Sequence, residues 1–189
     1  RTPIFTDPKN HAKLKICLES LSSDTQIQSL LNPEGLLEQP IIGNEIAFLI
    51  DVLVEAPEHK PFILKIKSKL DNYSIDKEEG IITVNDLKTT GDLINNFAKG
   101  ALIDYHYYRE MALYSWLLTM AAKKNYNIEN PKIRSNFLVV ETIPNFNTKV
   151  VPMTRELFNK GFKEFTHLLK LVAFYCMHGY EGFGITQET

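Results

Sequence analysis

Lys67-Ser68-Lys69-Leu70-Asp71-Asn72-Tyr73, followed after a short polar break by Ile81-Ile82-Thr83-Val84-Asn85-Asp86-Leu87-Lys88-Thr89-Thr90, is the stretch on which the fold turns. Phe62 to Ile75 and Gly80 to Thr89 read as strands, and Asp76 to Gly80 as a polar hairpin loop that ends in glycine. Alternate side chains of a strand share a face, so Asp86 and Lys88 point the same way with Ile82 and Val84 behind them. Counting outward from a turn centred near Glu78 sets Asp71 opposite Asn85 or Asp86. Two carboxylates and an ammonium are thereby expected to meet across neighbouring strands.

Two carboxylates held side by side on a half-buried sheet repel each other, and a divalent cation relieves the conflict. Mg²⁺ takes one or two carboxylates and completes its octahedron with water and phosphate oxygens; Mn²⁺ is a second candidate for the same ligands. A metal there would activate water and stabilise a leaving oxygen, with Lys88 orienting or deprotonating the water. The plainer alternative is a surface hairpin in which Asp86 and Lys88 form an ordinary ion pair, since Asp-x-Lys alone recurs by chance.

Outward from the hairpin, residues 8–31 read as one helix, with Leu14, Leu18 and Leu21 at helical spacing. Gln39 to Val54 reads as a strand, and Glu55 to Pro61 as a polar turn. A long helix is expected from Ile103 to Lys124, strands at Phe137–Thr142 and Lys149–Pro152, and a closing helix from Thr154 to His178 before a glycine-rich tail. The order α-β-β-β-α-β-β-α implies an α/β fold, a central mixed sheet flanked by helices, in a single domain spanning 1–189.

Composition narrows the function classes. Hydrophobic residues at 44% and charged residues at 23% are ordinary for a globular chain. With 21 basic and 23 acidic residues the net charge is -2, so any grip on nucleic acid must come from a local basic surface. Two cysteines, Cys17 and Cys176, are too few for a disulfide framework or an iron–sulfur cluster, and a reduced cytoplasmic compartment is the expected location. No apolar run is long enough to cross a bilayer, so no membrane partner is expected. The opening Arg1 suggests trimming at the N-terminus.

The two strand segments resemble the core of the PD-(D/E)XK nuclease superfamily, in particular its phage and RecB/RecE-like exonucleases. Those proteins carry a strand ending in Leu/Ile-Asp, a short hairpin loop, and then Val/Ile-x-Asp-Leu/Tyr-Lys-Thr. The resemblance covers about Glu45 to Leu118. It implies a restriction-endonuclease-like core, metal binding by Asp71, Asp86 and the Leu87 carbonyl, and a catalytic Lys88. It further implies resection of DNA ends in phage or mobile-element recombination, a single-strand annealing protein as partner, and in some relatives a homo-oligomeric ring. The helix that follows the hairpin in these families bears Gln-x-x-x-Tyr. Here Tyr114 matches, while Glu110 stands where the glutamine is usual and is expected to join the site as a ligand or as a partner of Lys88 or Arg109.

Helical spacing places His106, Arg109 and Glu110 on one sector, and assigns Tyr107, Met111, Tyr114 and Trp116 chiefly to the core. Lys65, Lys67 and Lys69 share the face of Asp71. With Arg109 and Tyr114, Lys67 and Lys69 are the weak candidates for DNA contact, although lysines on a strand edge also guard against aggregation. His11, Glu19, Glu38 and Glu45 read as surface residues, and His178 is unassigned. The leading expectation is a metal-dependent DNA exonuclease. The alternatives are an endonuclease of the same superfamily or a catalytically silent DNA-binding module on that fold.

Overall fold

Asp76 sets the register on which the site depends. In the computed structural model, which describes residues 8–33, 40–56 and 59–178, its carboxylate accepts the N–H groups of Glu78 and Glu79 at 3.0 and 3.1 Å. Gly80, at φ 64°, supplies the left-handed residue that closes this turn. The flanking strands are therefore locked as Asp76↔Ile81 and run in step to Asn72↔Asn85. Asp71 and Asp86 are the next residue on each arm, which resolves the expected one-residue ambiguity in favour of Asp86.

Five strands form one sheet in chain order: β1 Ile41–Ala56, β2 His59–Asp76, β3 Ile81–Thr90, β4 Lys132–Glu141 and β5 Thr148–Pro152. Only β3 and β4 are parallel; the other neighbours are antiparallel. A parallel neighbour needs a crossover. Here it is made by a 3-10 turn at Ile94–Asn96, the short α3 (Ala101–Asp104) and α4 (Tyr107–Tyr126). Before the sheet come α1 (Pro8–Ser23) and α2 (Thr25–Leu31), and after it α5 (Arg155–His178). The mixed α/β sheet with flanking helices is as expected.

Alternation along β4 shows how the layers stack. Phe137 and Val139 join the core under α4 with Ile82, Val84, Met111 and Leu118. Leu138 and Val140 enter a smaller core with Cys17, Leu21 and Ile27 from α1 and α2. Helices thus cover both faces of the central strands.

Several boundaries differ from expectation. The single helix over 8–31 is two, because Asp24 (φ -80°, ψ 106°) accepts the N–H groups of Gln26 and Ile27 and starts α2 afresh. The long helix begins at Tyr107, not Ile103, since His106 adopts φ 55° and interrupts the chain after α3. β1 and β2 reach into the expected turn, and Pro61 lies within the register shift between Val54↔Phe62 and Ala56↔His59, where a missing ladder donor does least harm. β4 starts at Lys132, five positions earlier than expected, through the polar segment Lys132–Asn136. Glu38 and the glycine-rich tail lie outside the described residues.

A chain of asparagines ties these layers together. Asn72 donates to Asn44 at 2.8 Å, Asn85 to Asn72 at 2.7 Å, and Asn136 to Asn85 at 3.0 Å, linking β1 through β4 side by side. The same Asn72 and Asn85 amides donate to the carbonyls of Leu31 and Leu30, capping the C-terminal end of α2. Truncating Asn85 strands a donor and two acceptors in the interior. Asn85→Ala is therefore expected to destabilise the fold by about 2–4 kcal/mol in denaturant melts; a loss below about 0.5 kcal/mol would show that the chain of amides holds nothing together.

Candidate active site

The ladders leave an opening at the candidate residues. β2 stays paired to β1 from Ile75 to His59, but it leaves β3 after Asn72, while β3 continues along β4 to Thr90. Asp71 and Asp86 therefore stand where the two strands part. Across this fork the Asp71 carboxylate accepts the N–H of Leu87 at 2.9 Å. Freed from ladder pairing with β2, that stretch of β3 presents backbone as well as side chains to the opening.

On the β1 side of Asp71 the backbone is irregular. Glu45 adopts φ 53°, a left-handed conformation that disfavours a residue with a Cβ. Glu45 lies between the pairs Asn44↔Asn72 and Ile46↔Leu70, opposite Asp71. Together with Leu18, Leu21, Asn44 and Leu87, Glu45 and Asp71 line an open cleft of about 350 Å³ between the N-terminal helices and the fork.

On the α4 side, Lys88 Nζ lies 2.7 Å from Asp86 Oδ2 and 3.0 Å from Glu110 Oε2. It also sits 4.5 Å above the Tyr107 ring, a cation–π contact. Tyr114 donates its hydroxyl to the other Glu110 oxygen at 2.5 Å. The Asp86 and Lys88 side chains are only 5% and 16% exposed. An ordinary surface pair on a solvated hairpin is therefore ruled out; this ion pair is buried. Asp86 Oδ2 is itself buried, with the Lys88 ammonium as its close partner.

Charge states follow from these contacts. Burial pushes the Asp86 carboxyl up to about 6; Lys88 pulls it down, while the charges of Glu110 and Asp71 push it further up. That Asp71 acts on Asp86 electrostatically places the two carboxylates in one field. For Lys88 burial favours loss of the proton, but Asp86 and Glu110 together outweigh it and hold the ammonium above its usual range. Lys88 is thus a cation at neutral pH. The Tyr114 hydroxyl is likewise raised, first by burial and then by Glu110, so it acts as a donor.

Asp86, Lys88, Glu110 and Tyr114 stand in one cluster of ion pairs and hydrogen bonds, and Asp71 meets the Leu87 N–H at the fork; Tyr114, read from the sequence chiefly as core, spends its hydroxyl inside the cluster. The expected common sector of His106, Arg109 and Glu110 does not form. His106 precedes the helix and its ring pairs with the Tyr108 hydroxyl at 2.9 Å, Arg109 turns to Glu164 on α5 at 2.7 Å, and only Glu110 meets Lys88. The lysine row of β2 is partly neutralised. Lys65 pairs with Asp51 at 3.0 Å and Lys69 with Glu45, whereas Lys67, opposite Leu49, has no ion-pair partner among the described residues. Glu19 is engaged with Lys15 on the exposed face of α1, where His11 is also exposed. The part played by Glu164 was not read from sequence, because its partner Arg109 is distant in the chain and no motif links them.

No protein-family model matches the chain, and no curated protein matches its sequence. Among solved structures, a protein named "Putative exonuclease" from Eubacterium rectale superposes with a TM-score of 0.59 at 11% identity, over 88% of this chain and 53% of that one. This chain spans about half the length of that protein, and the likeness shows a shared fold.

The donor set suits a hard divalent cation. Among the described residues no cluster of three or more His, Cys, Asp and Glu side chains is arranged to enclose a metal. Mg²⁺ does not require one: one or two carboxylates suffice when water and phosphate supply the rest. Asp71 and Asp86 at the fork supply two carboxylates.

Asp86 also makes a stability prediction for the metal-free chain. Its carboxyl is raised in the fold, so as pH climbs from about 4 through about 6 the unfolded chain ionises first and the fold weakens, on the order of 2 kcal/mol. Asp86→Asn removes this loss. Thermal melts in EDTA should show the variant gaining on the parent between pH 4 and 7, and parallel pH profiles for the two would contradict the assignment.

Proposed function

We propose that the chain is a metal-dependent deoxyribonuclease of the PD-(D/E)XK type, acting as an exonuclease on DNA. The observation that carries this reading is the buried Asp86–Lys88–Glu110 cluster at a strand fork that also presents Asp71 and the Leu87 backbone. The fold shared with a protein named as an exonuclease supports the same reading.

In this reading Asp71, Asp86 and the Leu87 carbonyl hold Mg²⁺ or Mn²⁺, which supplies an activated water and charge neutralisation at the scissile phosphate. Lys88, charged at neutral pH, orients the water and offsets the charge that builds on the phosphoryl oxygens. Glu110 holds the lysine in place and is itself fixed by Tyr114. The glutamate, where relatives by resemblance use glutamine, adds a second negative charge beside Lys88 and so keeps it protonated. Lys67 is the β2 lysine available to the DNA backbone.

The test is incubation with linear and with closed circular DNA in Mg²⁺ or in EDTA. Linear DNA should be degraded in Mg²⁺ and left whole in EDTA, and Lys88→Ala or Asp86→Ala should slow degradation by about 100-fold or more. Nicking of the circles would instead assign an endonuclease on the same site. Full activity in either variant, or activity in EDTA, would refute the metal–lysine site.

A further inference from the structure

A second charged cleft opens beside the first turn of α4. Arg109 from α4 and Lys160, Lys163, Glu164 and His167 from α5 line a hollow of about 420 Å³. Three permanent cations face one carboxylate there, in a chain whose net charge is -2. Two of the cations are also held in place. Arg109 Nε lies 2.7 Å from Glu164, and Lys160 Nζ lies 4.0 Å from Glu164 and 4.8 Å over the Tyr108 ring. Glu164 further accepts the Tyr108 hydroxyl at 3.0 Å, so its oxygens are spent on groups already in the cleft.

The helices that carry these residues meet without an intervening side chain. A Cβ at Gly161 would lie 2.3 Å from the Tyr108 carbonyl oxygen, so only glycine permits this approach. The contact sets α5 directly against the first turn of α4. Since Arg109 and Glu110 are consecutive, the cleft lies one residue along the helix from the partner of Lys88.

We propose that this cleft is a contact site for the phosphodiester backbone of the DNA strand that enters the fork, with Lys160 and Lys163 as its principal phosphate contacts. The proposal rests on the nuclease reading. Its argument is geometric and electrostatic: a hollow where three cations meet one carboxylate, at the same end of α4 that meets Lys88, on a protein two of whose three β2 lysines are paired with Asp51 and Glu45. Phosphate contacts of this kind set affinity and register without reading sequence.

The experiment is fluorescence polarisation with a labelled 20-base-pair duplex across a salt series in EDTA, comparing the parent, Lys160→Ala/Lys163→Ala, and Lys123→Ala/Lys124→Ala at the far end of α4. The α5 pair should weaken binding roughly ten-fold near 0.1 M salt and lower the log–log salt slope by about 1 to 2, with the α4 pair matching the parent. If the parent binds and the α5 pair keeps its affinity and slope, the cleft is not a DNA contact, while the nuclease reading stands. Equal losses in both lysine pairs would also overturn the cleft as a specific site. If the parent neither binds nor degrades DNA, both readings fall.

Discussion

The parting of β2 from β3 is the constraint around which the rest is arranged. A long strand such as β2 would by default stay paired with both neighbours. Here it keeps β1 from Ile75 to His59 and β3 for five residue pairs only. So brief a union of central strands would be weak if it relied on backbone bonds alone. The run of asparagines from Asn44 to Asn136 reinforces it on one side, and Asp76 pins the turn at its end. Strands that are firmly joined up to Asn72 and Asn85 can then separate one residue later, and the separation yields polar backbone and carboxylates facing an opening.

Helix α4 completes this arrangement from the other side. Its first turn sets Glu110 over Lys88 and Tyr107 under the ammonium, while Tyr114, one turn on, fixes the glutamate. Burial works against stability at these positions. Asp86 is raised toward neutrality by its surroundings, and the gain from Lys88 does not fully offset that. A site of this kind is stable because the hydrophobic layer beneath it, from Ile82 and Val84 to Met111 and Leu118, is tightly closed.

Much of this could be read in advance, for identifiable reasons. Period-two alternation and a turn of strongly biased composition specify where Asp86 and Lys88 point, and the turn's own hydrogen bonds are local, so register was accessible to within one residue. The split at Asp24 was missed because its capping bonds compete with an otherwise continuous helical pattern. The bifurcation of Arg109 from Glu110 was missed because it depends on α5, which a helical wheel of α4 does not contain. The asparagine chain does leave a signal in the sequence. Asparagine is disfavoured inside strands, and each of these four residues breaks the expected pattern of its own strand. Such repeated local violations on neighbouring strands mark a shared tertiary purpose.

The parallel pairing of β3 with β4 carries a consequence for the order in which the molecule assembles. The meander from β1 to β3 is joined by contacts between near neighbours in sequence and can form early. Asp86, however, becomes enclosed only when β4 arrives across a crossover that itself includes α4. Contacts of such long sequence separation close late. The carboxylate and the lysine therefore lose their water only when that long-range pairing closes, together with the bond that joins Asn136 to Asn85.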